Sequence, residues 1–309
     1  MANLNKDDLY ELLIIGAGPA GVSAALYAKS RGIRLALIEK NKVGGLIATV
    51  SKVSHYSGLI PDETGASFAA RLEKQLKDAD VKLIYGEVLK LNKNDDIFTV
   101  EMKDMTLSAK TVIIACGSEP KSLGLNNKEK FVSHNAFEDK DEVKDKTVLV
   151  CGGSDGAAKE AIFLSAYAKE VIMVQDQDKL MMIDEFRQLI ENANNIRVIL
   201  SSKVTDISVL DNKISSVVIH KQDDDTSEVI SGNDIKLFAF IGQVPNLNFA
   251  IDLVEMDGSF IKSENLLSTV KSLYIAGDCR TKTVRQIATA VADGCEAAIM
   301  AAKEIISER

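Results

Sequence analysis

Residues 10–39 read YELLIIGAGPAGVSAALYAKSRGIRLALIE, and their pattern decides the fold. A short apolar run ends in glycine, a helix-like stretch from Pro19 stops at Gly32, and a second apolar run ends on Glu39. Strand, glycine turn, helix and strand within about 30 residues make a βαβ unit. The turn is Gly16-Ala17-Gly18-Pro19-Ala20-Gly21, a G-x-G-x-x-G, and Glu39 stands 23 residues after Gly16. Each position has a mechanical reason. Gly16 permits the tight turn, Gly18 lets backbone approach a pyrophosphate, and Gly21 lets the helix pack on the strand. The helix N-terminus adds partial positive charge, and the acid can accept from ribose hydroxyls.

The rest of the chain extends this unit and then repeats it. Residues 67–79 (SFAARLEKQLKDA) predict an amphipathic helix, and VKLIYGEVLKL (81–91), IFTVEM (97–102) and KTVIIACG (110–117) predict strands. KTVLVCGGSDGAAKEAIFLSAYAKEVIMVQD (146–176) is a second strand, glycine turn, helix and strand, with Gly152 lying 136 positions after Gly16. Residues 118–145 are polar and suit a connection between domains. Alternating strands follow at 196–220, then a charged hairpin tip at 222–234 (QDDDTSEVISGND) and a buried strand at 236–246. The tail SLYIAGDC (272–279) precedes a helix from about Val284 to Ile306. The prediction is an α/β protein with two Rossmann-like three-layer (ββα/βαβ) nucleotide-binding domains, the second inserted into the first. The first takes residues 1–118 and 246–309, and the second takes 119–245.

Composition removes other classes. At 309 residues, 46% hydrophobic and 27% charged, the chain is long enough for two cores and too apolar for disorder. Lys and Arg number 37 against 45 Asp and Glu, a net charge of −8, which argues against a nucleic-acid partner. The N-terminus lacks a basic region followed by a cleavable apolar one, and no run approaches the roughly 18 apolar residues of a spanning helix. No membrane association and a cytoplasmic location are expected. The four cysteines, Cys116, Cys151, Cys279 and Cys295, form no C-x-x-C and no zinc spacing, so no metal site is expected and each reads as a small buried thiol. A non-local pair of Cys116 and Cys279 near the nucleotide is the alternative, but sequence separation alone offers it no geometric support.

GAGPAG with Glu39, Gly44-Gly45, the strand IIACG (113–117), GQVPN (242–246), AGD (276–278), Arg285-Gln286-Ile287, Thr289-Ala290 and Gly294 together resemble low-molecular-weight thioredoxin reductases over essentially the whole chain. The resemblance implies FAD, with its pyrophosphate on Gly16, Ala17, Gly18, Pro19 and Ala20 and its adenosine ribose on Glu39 beside Lys40. It places Gly45, Leu46 and Ile47 along the flavin, His55 toward the isoalloxazine region, and the backbone of Val88 at the adenine. Cys116 and Gly117 would line the cofactor, and Gly277, Asp278, Arg285, Gln286 and Ile287 would hold its ribityl and flavin end. For His55 a structural role on the surface stands equally. The resemblance also implies a homodimer.

Two motifs depart from that family. Where its C-x-x-C belongs the chain has Asn135 and Glu138, which cannot accept electrons from flavin, so catalytic thiols are not assigned. The second glycine turn, Gly152-Gly153-Ser154-Asp155-Gly156-Ala157, puts Ser154 at the central glycine. The next strand ends Gln175-Asp176-Gln177, where relatives using NADPH have His-Arg-Arg, and a further family arginine is Met181. Asp176 and Asp178 would repel a 2′-phosphate, which disfavours NADPH. NADH stays compatible, with Asp176 on its 2′-hydroxyl, and a decayed nucleotide site is the competing reading. The stretch FEDKDEVKDKTVLVCGG also resembles, in part, thioredoxin-reductase-like ferredoxin–NADP reductases. The expectation is an FAD-dependent oxidoreductase that exchanges electrons with a carrier such as ferredoxin or flavodoxin. An NADH-dependent flavin reductase or NADH oxidase-like enzyme and a non-catalytic FAD-binding pseudo-reductase are the alternatives.

Overall fold

The computed structural model describes residues 9–309. Strand β1 (Leu9–Ile15) runs into the first glycine turn, helix α1 (Pro19–Lys29) and strand β2 (Leu35–Glu39). Helix α2 (Gly65–Asp78) starts one residue after Thr64, whose hydroxyl accepts from the Ser67 N–H at 3.1 Å while the Thr64 N–H donates to the Ser67 hydroxyl at 3.0 Å. This reciprocal cap fixes the helix start two residues ahead of the predicted one. The run expected as one strand over 81–91 divides into β3 (Leu83–Tyr85) and β4 (Val88–Asn94). Gly86, with φ +158, donates to the Glu39 carbonyl at 2.8 Å and ends the parallel pairing, so the chain turns into a separate antiparallel ribbon. β5 (Ile97–Met102) and β6 (Thr106–Ile114) complete that ribbon.

β6 is long because one of its edges serves two partners in turn. It pairs parallel with β1 from Ser108 to Ile114, while its other partners divide it, antiparallel β5 taking Thr106 to Ala109 and parallel β18 taking Val112 to Ile114. β7 (Ser118–Pro120) leads away to β8 (Val132–Ser133) and then to β9 (Thr147–Cys151), α3 (Asp155–Ser165), β10 (Glu170–Val174), α4 (Asp184–Glu191) and β11 (Ile196–Ile199). The ribbon β12 (Ser202–Leu210), β13 (Lys213–Lys221) and β14 (Thr226–Ala239) follows. The expected hairpin tip over 222–234 shrinks to residues 222–225. Residues 226–234 are strand because exposed positions (Ser227, Val229, Ser231, Asn233) alternate with half-buried ones (Glu228, Ile230, Gly232, Asp234), the period of a pleat with one solvated face.

β15 (Gln243–Pro245) pairs with β7 as a two-stranded ribbon. The small hairpin β16 (Met256–Asp257) and β17 (Phe260–Ile261), strand β18 (Leu273–Ile275) and helix α5 (Ile287–Ser307) close the chain. The chain divides into two compact units, one of residues 1–48, 52–119 and 244–309, the other of 49–51 and 120–243.

Each unit carries a seven-stranded sheet of the same design. The first has the order β3-β2-β1-β6-β5-β4 with β18 beside β6, and the second has β11-β10-β9-β14-β13-β12 with β8 beside β14. Both are parallel at the glycine turn and antiparallel at the far edge, the two Rossmann-like units expected from the sequence. Leu13, Ile15, Ile38, Val112 and Ile114 form one buried face of the first sheet. Val148, Val150, Val171 and Met173 do so in the second. Among the described residues no helix is long and apolar enough to cross a membrane, and no cluster of His, Cys, Asp or Glu could hold a metal ion.

Candidate functional site

The three glycines of the first turn are required for different reasons. A Cβ on Gly16, which sits at φ +102, would lie 2.4 Å from the Ala115 carbonyl oxygen, and one on Gly21 would lie 1.8 Å from the Gly16 carbonyl oxygen. Both glycines serve the fold. A Cβ on Gly18 would meet nothing nearer than the Gly44 carbonyl oxygen at 4.0 Å, and Gly18 has an ordinary φ of −71. The protein does not need glycine there, so the space is a cradle for something else. Gly18 is also the N-cap of α1 with no side-chain cap, and Pro19 follows, so the helix end presents uncapped backbone.

Around this cradle the backbone is pinned. The Ala17 carbonyl accepts from the Gly44 N–H at 2.8 Å, and a Cβ on Gly45 would sit 3.6 Å from the Gly18 Cα. Leu46 and Ile47 follow on a short 3₁₀ turn, both half-buried. Glu39 is buried, with Oε2 accepting from the Ala17 N–H at 2.7 Å and Oε1 from the Asn41 N–H at 2.9 Å. Its first task is therefore to tie the turn to the end of β2, and its remaining lone pairs are what a ribose hydroxyl would use. Lys40 is exposed and 3.9 Å from Glu119. Val88 opens β4 beside the Gly86 turn that bonds to Glu39. His55 is exposed in a left-handed conformation, φ 60.

The far end of the cradle comes from the chain's last third. Ile114 and Ile275 lie side by side on β6 and β18, and Cys116 with Gly117 leaves one strand as Gly277 with Asp278 leaves the other. Gly117 has φ +61 and open space where a Cβ would be. Asp278 has a buried Oδ1 with no hydrogen-bond partner, and burial raises its carboxyl above the usual range. An orphaned acceptor of this kind fits the ribityl hydroxyls of a flavin nucleotide, and the open cradle at Gly18 fits its pyrophosphate. Arg285 donates to the Asp278 carbonyl at 3.3 Å and stacks 3.7 Å over the Phe260 ring. Gln286 is the N-cap of α5, and Ile287 begins it.

Asp293 was not foreseen in this role. It accepts from the Gly277 N–H at 3.0 Å, from Arg280 Nε at 3.0 Å and from Lys282 Nζ at 2.9 Å. Burial works to raise its carboxyl, but the bonds from Arg280 and Lys282 prevail and hold it below the ordinary value. Its place beside Gly294 was the one available signal, because Glu296, Lys303 and Glu304 also put charge on α5. Gly294 lets α5 cross α1, since a Cβ there would lie 2.0 Å from the Ala20 carbonyl oxygen.

The second glycine turn keeps the fold's requirement and changes the ligand's. A Cβ on Gly152, at φ +123, would lie 2.5 Å from the Phe240 carbonyl oxygen, matching Gly16 against Ala115. Ser154 occupies the Gly18 position at φ −88 and caps nothing with its hydroxyl. Register identifies the residue that corresponds to Glu39. Ile15 pairs with Ile38 and Cys151 with Val174, so the counterpart of Glu39 is Gln175, and Asp176 lies one residue beyond. Gln175 is buried with its amide packed against Gly153, whereas Asp176 is exposed and 3.8 Å from Lys203. Asn135 and Glu138 stand in a turn where the Asn135 Oδ1 accepts from the Glu138 N–H at 3.1 Å.

The pyridine nucleotide-disulphide oxidoreductase family profile matches residues 10–294. The thioredoxin reductase of Ureaplasma parvum is 33% identical, with 98% of each chain covered. Among solved structures, T. acidophilum thioredoxin reductase has a TM-score of 0.89 at 30% identity, covering 97% of this chain and 99% of that one. Lactococcus lactis thioredoxin reductase (FR conformation) has a TM-score of 0.91 at 28% identity, covering 96% and 99%.

Proposed function

The chain belongs to the pyridine nucleotide-disulphide oxidoreductase family and is an FAD-dependent oxidoreductase of the thioredoxin reductase type, and on that premise we propose that it exchanges electrons with a separate protein carrier, of the ferredoxin or flavodoxin kind, and not through a dithiol at 135–138. The observation that carries this reading is the Asn135–Glu138 turn. Its polar side chain and backbone hold the loop without sulphur, so the loop can keep its shape and has no group to pass electrons on. Bound FAD supplies chemistry in which electrons are taken as a pair and released singly.

The chain's own residues bind and orient. Gly16 to Ala20 would receive the pyrophosphate at the N-terminus of α1, Glu39 the adenosine ribose, and Asp278 the ribityl hydroxyls. Gly45, Leu46, Ile47, Gly117, Arg285, Gln286 and Ile287 would line the rest. In this reading the working form is a homodimer in the cytoplasm.

The family implies a pyridine nucleotide as well as FAD. A second reading, an NADH-dependent flavin reductase, draws on the retained Gly152 turn and on Gln175, whose amide can bond an unphosphorylated ribose. Neither Gln175 nor Asp176 offers positive charge to a 2′-phosphate, so NADPH is the poorer donor in either case. Anaerobic mixing of the FAD-loaded protein with reduced ferredoxin, NADH and NADPH in turn decides. Flavin bleaching by the reduced carrier, with NADH slow at micromolar concentration, supports the carrier reading. Rapid bleaching by NADH alone overturns it in favour of the reductase, and a flavin that none of the three reduces indicates a pseudo-reductase.

A further inference from the structure

Asp278 opens a stretch rich in cations, with Arg280, Lys282 and Arg285 close behind it. Its buried Oδ1 nevertheless has no hydrogen-bond partner. Each cation is engaged elsewhere. Arg285 donates from Nε to the Asp278 backbone carbonyl at 3.3 Å and from Nη2 to the Arg280 carbonyl at 3.2 Å, and its guanidinium lies over the Phe260 ring. Arg280 donates to Asp293 from Nε at 3.0 Å and from Nη2 at 3.3 Å, with Nη1 on the Ser263 hydroxyl at 3.4 Å. Lys282 Nζ donates to Asp293 at 2.9 Å. The Lys282 side chain is only 9% exposed, so its ammonium depends on that carboxylate in place of water.

The three donors converge on one atom. Lys282 Nζ, Arg280 Nε and the Gly277 N–H all meet Asp293 Oδ2, which puts the ammonium two hydrogen bonds from the residue before Asp278. Gly277 has little freedom to move away, since it sits at φ +82 and a Cβ there would lie 2.9 Å from the Ala20 Cβ. Without Asp293, the next carboxylate within reach of Lys282 is therefore Asp278. Burial acts on both carboxyls, and the two respond differently. In Asp293 the Arg280 and Lys282 bonds outweigh it and hold the group below its usual range, while Asp278, without such bonds, is held above.

We infer that Asp293 is a positioning residue of the flavin unit: it takes up the Lys282 and Arg280 cations and so keeps the Asp278 carboxylate open to the hydroxyls of a ribityl chain. A neutral hydroxyl competes poorly with a buried ammonium for a carboxylate, because the hydrogen bond between two ions is the stronger one. The bond from Gly277 to the same Asp293 oxygen also fixes the turn that carries Asp278. The inference rests on the reading of Asp278 as a ribityl acceptor.

The test compares FAD with ADP, which has the adenosine and the pyrophosphate but no ribityl chain, on the flavin-free full-length protein. Flavin fluorescence reads the first and calorimetry the second. Asp293→Asn keeps an acceptor for Gly277 and releases Lys282, so it should weaken FAD about tenfold and leave ADP within about threefold. Lys282→Met alone should leave FAD within about threefold, since Asp293 still holds Arg280 and Gly277. Adding Lys282→Met to Asp293→Asn should restore FAD affinity, a coupling that a merely structural Asp293 would not show.

Unchanged FAD affinity in Asp293→Asn, equal losses for FAD and ADP, or a double variant as weak as Asp293→Asn would each overturn the inference. So would a tenfold loss in Lys282→Met alone, which would make Lys282 itself a cofactor contact. Where Asp293→Asn fails to fold, the double variant, which buries no unpaired ammonium, decides: FAD binding like that of the unsubstituted chain supports the inference, and failure to fold or bind overturns it. The reading of Asp278 fails separately, if Asp278→Asn binds FAD as tightly as the unsubstituted chain.

Discussion

Replacing Gly18 with alanine should weaken FAD binding while leaving the apo-protein's stability almost unchanged. The added methyl enters space whose nearest atom, the Gly44 carbonyl oxygen, is 4.0 Å away, and the backbone φ of −71 suits any residue. Position 154, in the other unit, shows that such a turn folds with a side chain present. Alanine gains about 0.4–1 kcal/mol by restricting the unfolded chain, and loses a similar amount as a poorer N-cap than glycine. The two nearly cancel. Against the ligand the methyl stands between the turn and the pyrophosphate and costs one or two charge-assisted hydrogen bonds, each about 1.5–3 kcal/mol. A loss of about 3 kcal/mol is roughly a hundredfold in affinity. Gly21→Ala is the contrasting variant, because its methyl would lie 1.8 Å from the Gly16 carbonyl oxygen and must displace α1. Overpacking of about 1–3 kcal/mol should lower its apo melting temperature by several degrees. Both variants are read by flavin fluorescence titration and by melting of the flavin-free protein. If Gly18→Ala binds FAD within threefold of the unsubstituted chain, or melts as low as Gly21→Ala, the assignment of Gly18 to the ligand is wrong.

Ser154→Gly should strengthen NADH binding by about tenfold, or about 1.4 kcal/mol, by removing the Cβ at the pyrophosphate approach; calorimetric titration reads it, and an unchanged affinity means the second turn holds no nucleotide. Asp278→Asn should weaken FAD about 10- to 100-fold by removing a charged acceptor, as flavin titration will show. Because burial raises the folded-state pKa of Asp278, its ionised form costs stability above that pKa and the cost disappears as pH falls through it. The flavin-free Asp278→Asn protein should therefore melt higher than the unsubstituted one at pH 8, and the difference should shrink toward acid pH in paired melts. Burial pushes the Cys151 thiol up to about 12, so iodoacetamide at pH 8 should leave Cys151 unlabelled in the native protein and label it on denaturation, by mass spectrometry.

Much of the architecture follows from short spacings. The glycine pattern at 16–21, its return at 152–157 and the acid at residue 39 are local facts, because a βαβ unit is specified by residues within about 30 positions. The residues at 135, 138, 154 and 176–177 are equally local, and their departure from the pattern the resemblance implies is legible before any coordinates are considered.

What local pattern cannot contain is pairing at long range. Gln175, and not Asp176, is the counterpart of Glu39 because Cys151 pairs with Val174, a register that periodicity leaves open by one residue. The placing of Gly277 and Asp278 beside the end of β6 depends on β18 returning there after the whole insertion. Asp293 reaches Gly277 only because α5 crosses α1 at Gly294. Among the glycines the spacing gives Gly16, Gly18 and Gly21 different reasons, but the atoms behind those reasons come from the packed structure. A Cβ on Gly16 or Gly21 meets backbone and one on Gly18 meets open space, since those neighbours are brought close only by the tertiary fold.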